Sequence, residues 1–241
     1  MSASPVPGGE GPFAPGGRGA LFVAGAGTEI GKTYVAAALV RRLRAEGRGV
    51  RALKPLASGV PALDDPAFAG SDTAVLLAAQ GLPATRETVD ACSPWRFLAP
   101  LAPDLAAERE GRTLRLDALV AWCEARIAEA AGAGVSLVIE GVGGLMSPIA
   151  PDATGLDWLE RLRLPALLVT GSYLGAISHA LTAAETLRAH GVALAGVAVS
   201  ESPGAPTPPG TVAEAIARRV SAPVAVLARG GAFPDGLADL L

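Results

Sequence analysis

The sequence predicts an α/β fold with a mostly parallel, doubly wound sheet flanked by helices. Three observations carry this expectation. Short apolar runs alternate along the chain with Ala/Leu/Arg-rich stretches of helical period, the pattern of strands joined by crossover helices. Glycine-rich and polar clusters fall just after those runs, where open α/β sheets place their ligands. The chain has 241 residues, half of them hydrophobic but only 4% aromatic. That suffices for one large domain whose core is alanine, valine and leucine.

Residues 1–18 are rich in Gly, Pro and Ser and read as a disordered N-terminal tail, with a single domain over 19–241. Leu21 to Ala24 reads as a buried strand. Gly25-Ala-Gly-Thr28-Glu29-Ile30-Gly31-Lys32-Thr33 follows and opens a helix to about Glu46. Strand, glycine-rich turn and helix in that order are what a phosphate-binding loop needs. Glycines let the backbone turn its N–H groups onto phosphate oxygens, and the helix N-terminus adds partial positive charge. Lys32 would reach the outer phosphates and the Thr33 hydroxyl would hold Mg²⁺. The spacing is a variant: Ala26 stands five positions before Gly31, where the strict pattern has glycine, and Gly25 lies one residue early. The expected fold is P-loop NTPase-like.

Arg48 to Leu56 reads as a second strand, ending in Lys54-Pro55-Leu56-Ala57-Ser58-Gly59. Residues 60–70 form a loop, and Ser71 caps a helix with Asp72 in its first turn. The stretch 83–112 carries Pro83, Pro94, Pro100 and Pro103 and reads as a long irregular segment, a length that points to binding. An amphipathic helix runs from about Leu116 to Ala131. Val135 to Ile139 is a buried strand ending at Glu140-Gly141-Val142-Gly143-Gly144. Leu164 to Thr170 is a strand, Gly175 to His190 a helix, Val192 to Ser200 a strand, Thr211 to Val220 a helix, and Pro223 to Leu227 a last strand.

A net charge of −3 implies no general attraction to nucleic acid or an acidic membrane. No apolar run approaches a membrane span, and the N-terminus lacks the order of a signal peptide. Cys92 and Cys123 have neither metal nor disulfide spacing, which fits a reduced, cytoplasmic setting. Of the 20 basic residues only Lys32 and Lys54 are lysines, and both stand beside strand ends marked by glycine or proline. Lysine is a compact charge on a flexible stem, unlike arginine.

Glu140 closes a wholly apolar run, where a carboxylate is costly unless paired or bound to a cation. It reads as a Mg²⁺ ligand. Asp72 alone reads as a complement to its helix dipole. Glu29 beside phosphates would repel them unless a cation or a substrate amine stood near. Lys54 reads either as a strand-end lysine or as a second positive charge for a transferring phosphoryl group. His190 suits a helix end, and His179 a cap or a packing role. Ser172 and Ser178 lack the partners of a hydrolase triad.

Together these motifs resemble the dethiobiotin synthetase family. The resemblance rests on the loop through Thr28-Glu29-Ile30-Gly31-Lys32-Thr33, on Lys54-Pro55-x-Ala57-Ser58-Gly59 and on Ser71-Asp72. It continues with Glu140-Gly-x-Gly-Gly144 before Ser147-Pro148 and with Leu174-Gly175-x-Ile177-x-His179. The ordered set spans about residues 20 to 200. The resemblance implies ATP- and Mg²⁺-dependent closure of a cyclic urea from 7,8-diaminononanoate and CO₂. The route runs through a carbamate and its phosphoric anhydride, in a homodimer with the site near the interface. It implies that Lys32 and the Glu29 to Tyr34 backbone hold the phosphates, and that Thr33, Asp72 and Glu140 organise Mg²⁺. Lys54 is then the essential charge near carbamate and γ-phosphate. Thr28, Ser58 and Gly144 face the substrate, while Gly141, Val142, Gly143, Ser200 and Glu201 face the nucleotide.

The chain departs from the family at four places. Ala26 replaces a threonine, and Ser178 stands where asparagine precedes His179. Ser200-Glu201 replaces an asparagine-led pair that reads adenine, and Ala228-Arg229-Gly230 lacks the usual proline of the base pocket. These last two imply looser nucleotide selectivity. Two other readings share the variant loop: the amidating synthases of cobalamin assembly, and partition or cell-division ATPases acting as switches. The first usually carry a glutamine-hydrolysing domain, for which this chain is too short. The second have an early loop lysine, which Gly25, Ala26 and Gly27 do not supply.

Overall fold

The computed structural model describes residues 19–241; the expected N-terminal tail lies outside them. The chain enters as β1 (Ala20–Gly25), turns through the glycine-rich loop into α1 (Lys32–Ala45), and returns as β2 (Val50–Leu53). Pro55 then breaks the ladder. The expected single strand to Leu56 is two pieces, β2 and a short β3 (Leu56–Ala57) that pairs with β4 (Trp95–Arg96) in a separate two-stranded ribbon. A 3₁₀ turn (Pro66–Gly70) leads to α2 (Asp72–Ala79), whose N-cap is Ser71, its side chain accepting from the Ala74 N–H.

The stretch 83–112 is not irregular. It holds α3 (Arg86–Cys92), β4 and α4 (Pro103–Arg109). Pro83 precedes α3, Pro94 and Pro100 lie between the elements, and Pro103 is the first residue of α4; Thr85 caps α3 in a reciprocal capping box with Thr88. Next come α5 (Leu116–Gly132), β5 (Ser136–Glu140), a small antiparallel hairpin of β6 (Pro148–Ala150) and β7 (Ala153–Thr154), and α6 (Gly155–Leu162). β8 (Ala166–Thr170), α7 (Ala176–Ala189), β9 (Leu194–Ser200), α8 (Pro209–Ala217) and β10 (Val224–Leu227) complete the alternation.

The main sheet has six strands in the order β10-β9-β8-β1-β5-β2, and all its pairings are parallel. Side chains alternate across it, as a pleated strand buried on both faces requires. Phe22 and Ala24 of β1 join the core under α5 to α8, while Leu21 and Val23 join the core under α1 and α2. Trp158 of α6 is fully buried edge-on to Phe22, with ring centroids 5.0 Å apart. The open side of β2 is covered by Gln80 and by Cys92 at the end of α3, whose carbonyl accepts from the Lys54 N–H at 3.1 Å. Gln80 accepts from the Ala52 N–H at 2.9 Å and donates to the Ala52 carbonyl at 3.0 Å, which blunts an edge that would otherwise template pairing. After β10 the chain folds back, burying Phe233, Leu237 and Leu241 in the α1-side core.

The order places β1 between β5 and β8, so its loop opens at the centre of the strand C-termini. The ends of β2, β5 and β9 surround it.

Candidate active site

The glycine-rich loop is held by contacts that leave no room for side chains at two points. A Cβ on Gly25 would lie 2.8 Å from the Gly143 carbonyl and 2.8 Å from the Lys32 stem, so the glycine that falls one place early in the motif is required by packing. Gly31 caps α1 with φ +93°, and a Cβ there would meet Ser200 Oγ at 2.4 Å. Glu29 also adopts a left-handed φ of +57° without being glycine, a conformation that costs about 1 kcal/mol or more and turns the loop over itself. The first turn of α1 holds no acidic residue, leaving its dipole free for an anion.

Both lysines are buried at the floor of the crevice. Lys32 is 6% exposed, and its Nζ donates to the Gly27 carbonyl at 2.9 Å. Burial, and then the charge of Lys54, lower its pKa to about 8. Lys54 is 2% exposed. It donates to Glu140 Oε1 at 2.5 Å, to the Gly141 carbonyl at 2.8 Å and to Asp72 Oδ2 at 3.0 Å, which engages all three ammonium hydrogens. Burial works against that charge, but Glu140 and Asp72 together outweigh it and hold Lys54 above the ordinary lysine range. Glu140 is fully buried, and burial pushes its carboxyl up while Lys54 opposes. Asp72 is likewise penalised by burial, yet Lys54 brings its carboxyl below the usual range. A buried Lys–Glu pair of this kind is costly to break from either side.

Thr33 Oγ1 donates to Glu140 Oε1 at 2.7 Å, while Glu140 Oε2 is buried without a hydrogen-bond partner. A buried, unpaired carboxylate oxygen beside a hydroxyl and a second carboxylate is a donor set suited to a hard divalent cation. Among the described residues no group of three or more His, Cys, Asp or Glu side chains could hold a metal. Thr33, Asp72 and Glu140 therefore fit a cation that takes its remaining ligands from phosphate and water, as Mg²⁺ does.

Most of the predicted residues, though not all, share one cavity of about 800 Å³. Thr28 to Thr33 line it with Lys54, Ser58, Asp72, Glu140, Val142 and Gly143. Gly141 contributes its carbonyl to Lys54 from behind the wall. Gly144 opens instead onto a neighbouring cavity of about 810 Å³ across the loop, lined also by Tyr173 and His179. Tyr34, Ser200 and Glu201 line a smaller cleft of about 240 Å³ on the far side of Gly31. Residues 100–103, from the proline-bearing stretch that reads as a binding segment, and Ser147, part of the Ser147-Pro148 motif, also line the main cavity without having been named as site residues. The proline density of 94–103 is the signal that bears on the first group. Ser147 carried only a motif position; its Oγ accepts from the Gly144 N–H at 2.8 Å and so shapes the turn. His179 meets the Tyr173 hydroxyl at 2.9 Å, and His190 meets Glu160. Ser172 and Ser202 exchange reciprocal bonds, each hydroxyl accepting from the other's N–H at 3.0 Å, which ties the ends of β8 and β9 together.

A family model described as an AAA domain matches residues 19–229. The chain is 71% identical over 218 residues to the ATP-dependent dethiobiotin synthetase BioD of Methylobacterium nodulans, covering 90% of this chain and 96% of that one. It is 46% identical over 223 residues to the protein of the same name from Caulobacter vibrioides, covering 92% and 98%. Among solved structures, the signal recognition particle receptor FtsY of Elizabethkingia anophelis in complex with GDP aligns at TM-score 0.53 and 16% identity, over 92% of this chain and 62% of that one. The MinC:MinD complex of Aquifex aeolicus aligns at 0.50 and 12%, over 92% and 84%. These two share the fold alone. Among the described residues no helix is long and apolar enough to cross a membrane. With a family model over most of its length and such identity across nearly all of its relatives' length, the chain belongs to the ATP-dependent dethiobiotin synthetases.

Proposed function

We propose that residues 19–241 act as one catalytic domain that joins 7,8-diaminononanoate and CO₂ into the cyclic urea of dethiobiotin at the expense of ATP. The observation that carries this reading is the single cavity shared by Lys32, Lys54, Thr33, Asp72 and Glu140. A carbamate and a triphosphate are both anions, so bringing them together needs buried positive charge in one place.

In the first step one substrate amine attacks CO₂ and loses a proton, giving the carbamate. Thr28 and Ser58, which line the cavity with both lysines, would orient the diamine, with Gly144 bordering from the next cavity, and Glu29 of the same lining would pair with its second ammonium. A carbamate oxygen then attacks the γ-phosphorus; the bond to the β-phosphate oxygen breaks and ADP leaves. The second ammonium gives up a proton to become an amine, which attacks the carbonyl carbon; the carbon–oxygen bond to phosphate breaks, a further proton is released, and the ring closes. Lys32 and Lys54 hold the anions together and offset charge growing on the transferring group. Thr33, Asp72 and Glu140 would hold Mg²⁺, which supplies charge neutralisation at the phosphates when bound. No general base is required at carbon, because positioning and charge do the work.

A homodimer belongs to this proposal. Met146, 57% exposed, lines the second cavity, and Leu174, 85% exposed, follows Tyr173 of the same lining in the chain; exposed apolar side chains of this size support burial against another copy. A cytoplasmic setting is proposed with it, supported by two free, buried cysteines. The test is ADP release with the diamine and bicarbonate both present against each omitted. Release should need both; release that ignores the diamine would favour a nucleotide switch.

A further inference from the structure

The cavity holding Lys54 and Glu140 takes the outer phosphates, since Lys32 and Thr33 face it. The nucleoside must then leave the loop on the other side of Gly31. Only the cleft of about 240 Å³ meets that requirement among the cavities described; it touches Gly31 and Tyr34 on one wall and the ends of β9 and β10 on the other. Its polar equipment is unusual. Ser200 is 5% exposed and packs its hydroxyl against Gly31, so it seals the loop. Glu201 is fixed twice between the strand ends: its N–H donates to the Leu227 carbonyl at 3.0 Å, and its Oε2 accepts from the Arg229 N–H at 2.8 Å. The opposite rim is fixed too, because the Tyr34 hydroxyl donates to the Ala228 carbonyl at 2.9 Å. Glu29 also lines the cleft, but from the phosphate-loop side; at the strand ends the cleft offers a base one carboxylate fixed by a backbone bond, Glu201, with the guanidinium-bearing Arg229 beside it.

We propose that Glu201 reads the nucleobase and that this enzyme uses guanosine triphosphate as well as adenosine triphosphate. This inference rests on the function proposed above. A carboxylate can only accept hydrogen bonds. Guanine presents two adjacent donors, N1–H and the 2-amino group, which match the two oxygens of one carboxylate in a fork. Its 6-oxo group needs a donor, and Arg229 is one. Adenine presents a single amino donor next to a ring nitrogen that is itself an acceptor, so it gains one hydrogen bond from Glu201 and no fork. Uracil flanks its lone N–H with two carbonyls that face the carboxylate unfavourably.

The test is a nucleotide panel on the wild-type enzyme with diamine and bicarbonate saturating, read as kcat/KM and, separately, as Kd by competition with a fluorescent nucleotide. GTP should serve within about tenfold of ATP. Inosine triphosphate, which lacks the 2-amino group, should bind about tenfold more weakly than GTP, the effect of one hydrogen bond to a charged group. In Glu201→Gln, whose amide offers a donor and an acceptor, the GTP-to-ATP ratio of Kd-derived affinities should fall about tenfold or more. A wild-type enzyme more than tenfold worse with GTP overturns the proposal, as do equal affinities for GTP and inosine triphosphate or an unchanged ratio in Glu201→Gln. None of these outcomes would touch the proposed reaction, which fails only if ATP turnover ignores the diamine.

Discussion

At the end of the crevice proposed for the phosphates, Lys54 and Glu140 are 2% and 0% exposed and bonded to each other across the ends of β2 and β5. At the end proposed for the base, Glu201 is half-buried and Arg229 exposed, and they are held by backbone bonds between loops. The first region is a set of charges buried at the ends of sheet strands. The second is a set of ordinary surface residues made rigid. Charge in a buried region is strong but expensive, so substitutions there should disturb stability and turnover together. At the base end they should move preference between nucleotides and leave stability nearly alone.

The largest effect should come from Lys54→Ala. Removing one positioned charge at a reacting centre should lower coupled turnover about 10³-fold. It also leaves Glu140 buried and unpaired, which should cost about 3–5 kcal/mol of stability. Denaturant melts of Lys54→Ala, Glu140→Gln and the double variant check this. The double variant should recover much of the lost stability and none of the turnover; additive losses would show that the two residues do not act as a pair.

Lys32→Met should separate the two quantities. The folded pKa of about 8 lies below the ordinary lysine value of 10.5, so the charged lysine costs the nucleotide-free fold on the order of 3 kcal/mol. The variant should melt at higher temperature without nucleotide while losing nucleotide affinity. Loss of affinity with an unchanged or lowered melting temperature would contradict this. The pH dependence carries the same sign. The unfolded chain binds more protons than the folded one between about pH 8 and 10.5, so this lysine's penalty persists below pH 8 and is relieved as pH rises through that window. Nucleotide affinity should fall above about pH 8, as the ammonium is lost. Calorimetric titration across that range reads it directly, and a flat profile would exclude Lys32 as the titrating group. The smallest effect is expected from Ser147→Ala. It removes the acceptor for Gly144 N–H, worth about 1 kcal/mol, and should raise the KM for the diamine a few-fold with kcat little changed.

The contrast between the two ends also explains what could be read beforehand. Lys32, Lys54 and Glu140 were conspicuous because charged residues closing apolar runs are rare, and the parallel sheet followed from those same runs. Asp72 was ambiguous: a first-turn aspartate looks alike whether it faces solvent or Lys54. The stretch 83–112 was misread because its prolines signalled breaks, whereas Pro103 opens a helix. Helix α6 (Gly155–Leu162) went unread; its capping box at Thr154 and Asp157 was the available signal. The partition of Glu201 and Gly144 into separate hollows depends on how loops fold over the sheet, which no local pattern encodes.

The sharpest test of the shared crevice follows an oxygen atom. If a carbamate oxygen attacks the γ-phosphorus, that oxygen leaves with phosphate when the ring closes. Turnover started with freshly added C¹⁸O₂, quenched before the label exchanges with water, should yield inorganic phosphate carrying one ¹⁸O by mass spectrometry. Unlabelled phosphate under the same conditions would mean that water, not the carbamate, meets the nucleotide between Lys32 and Lys54.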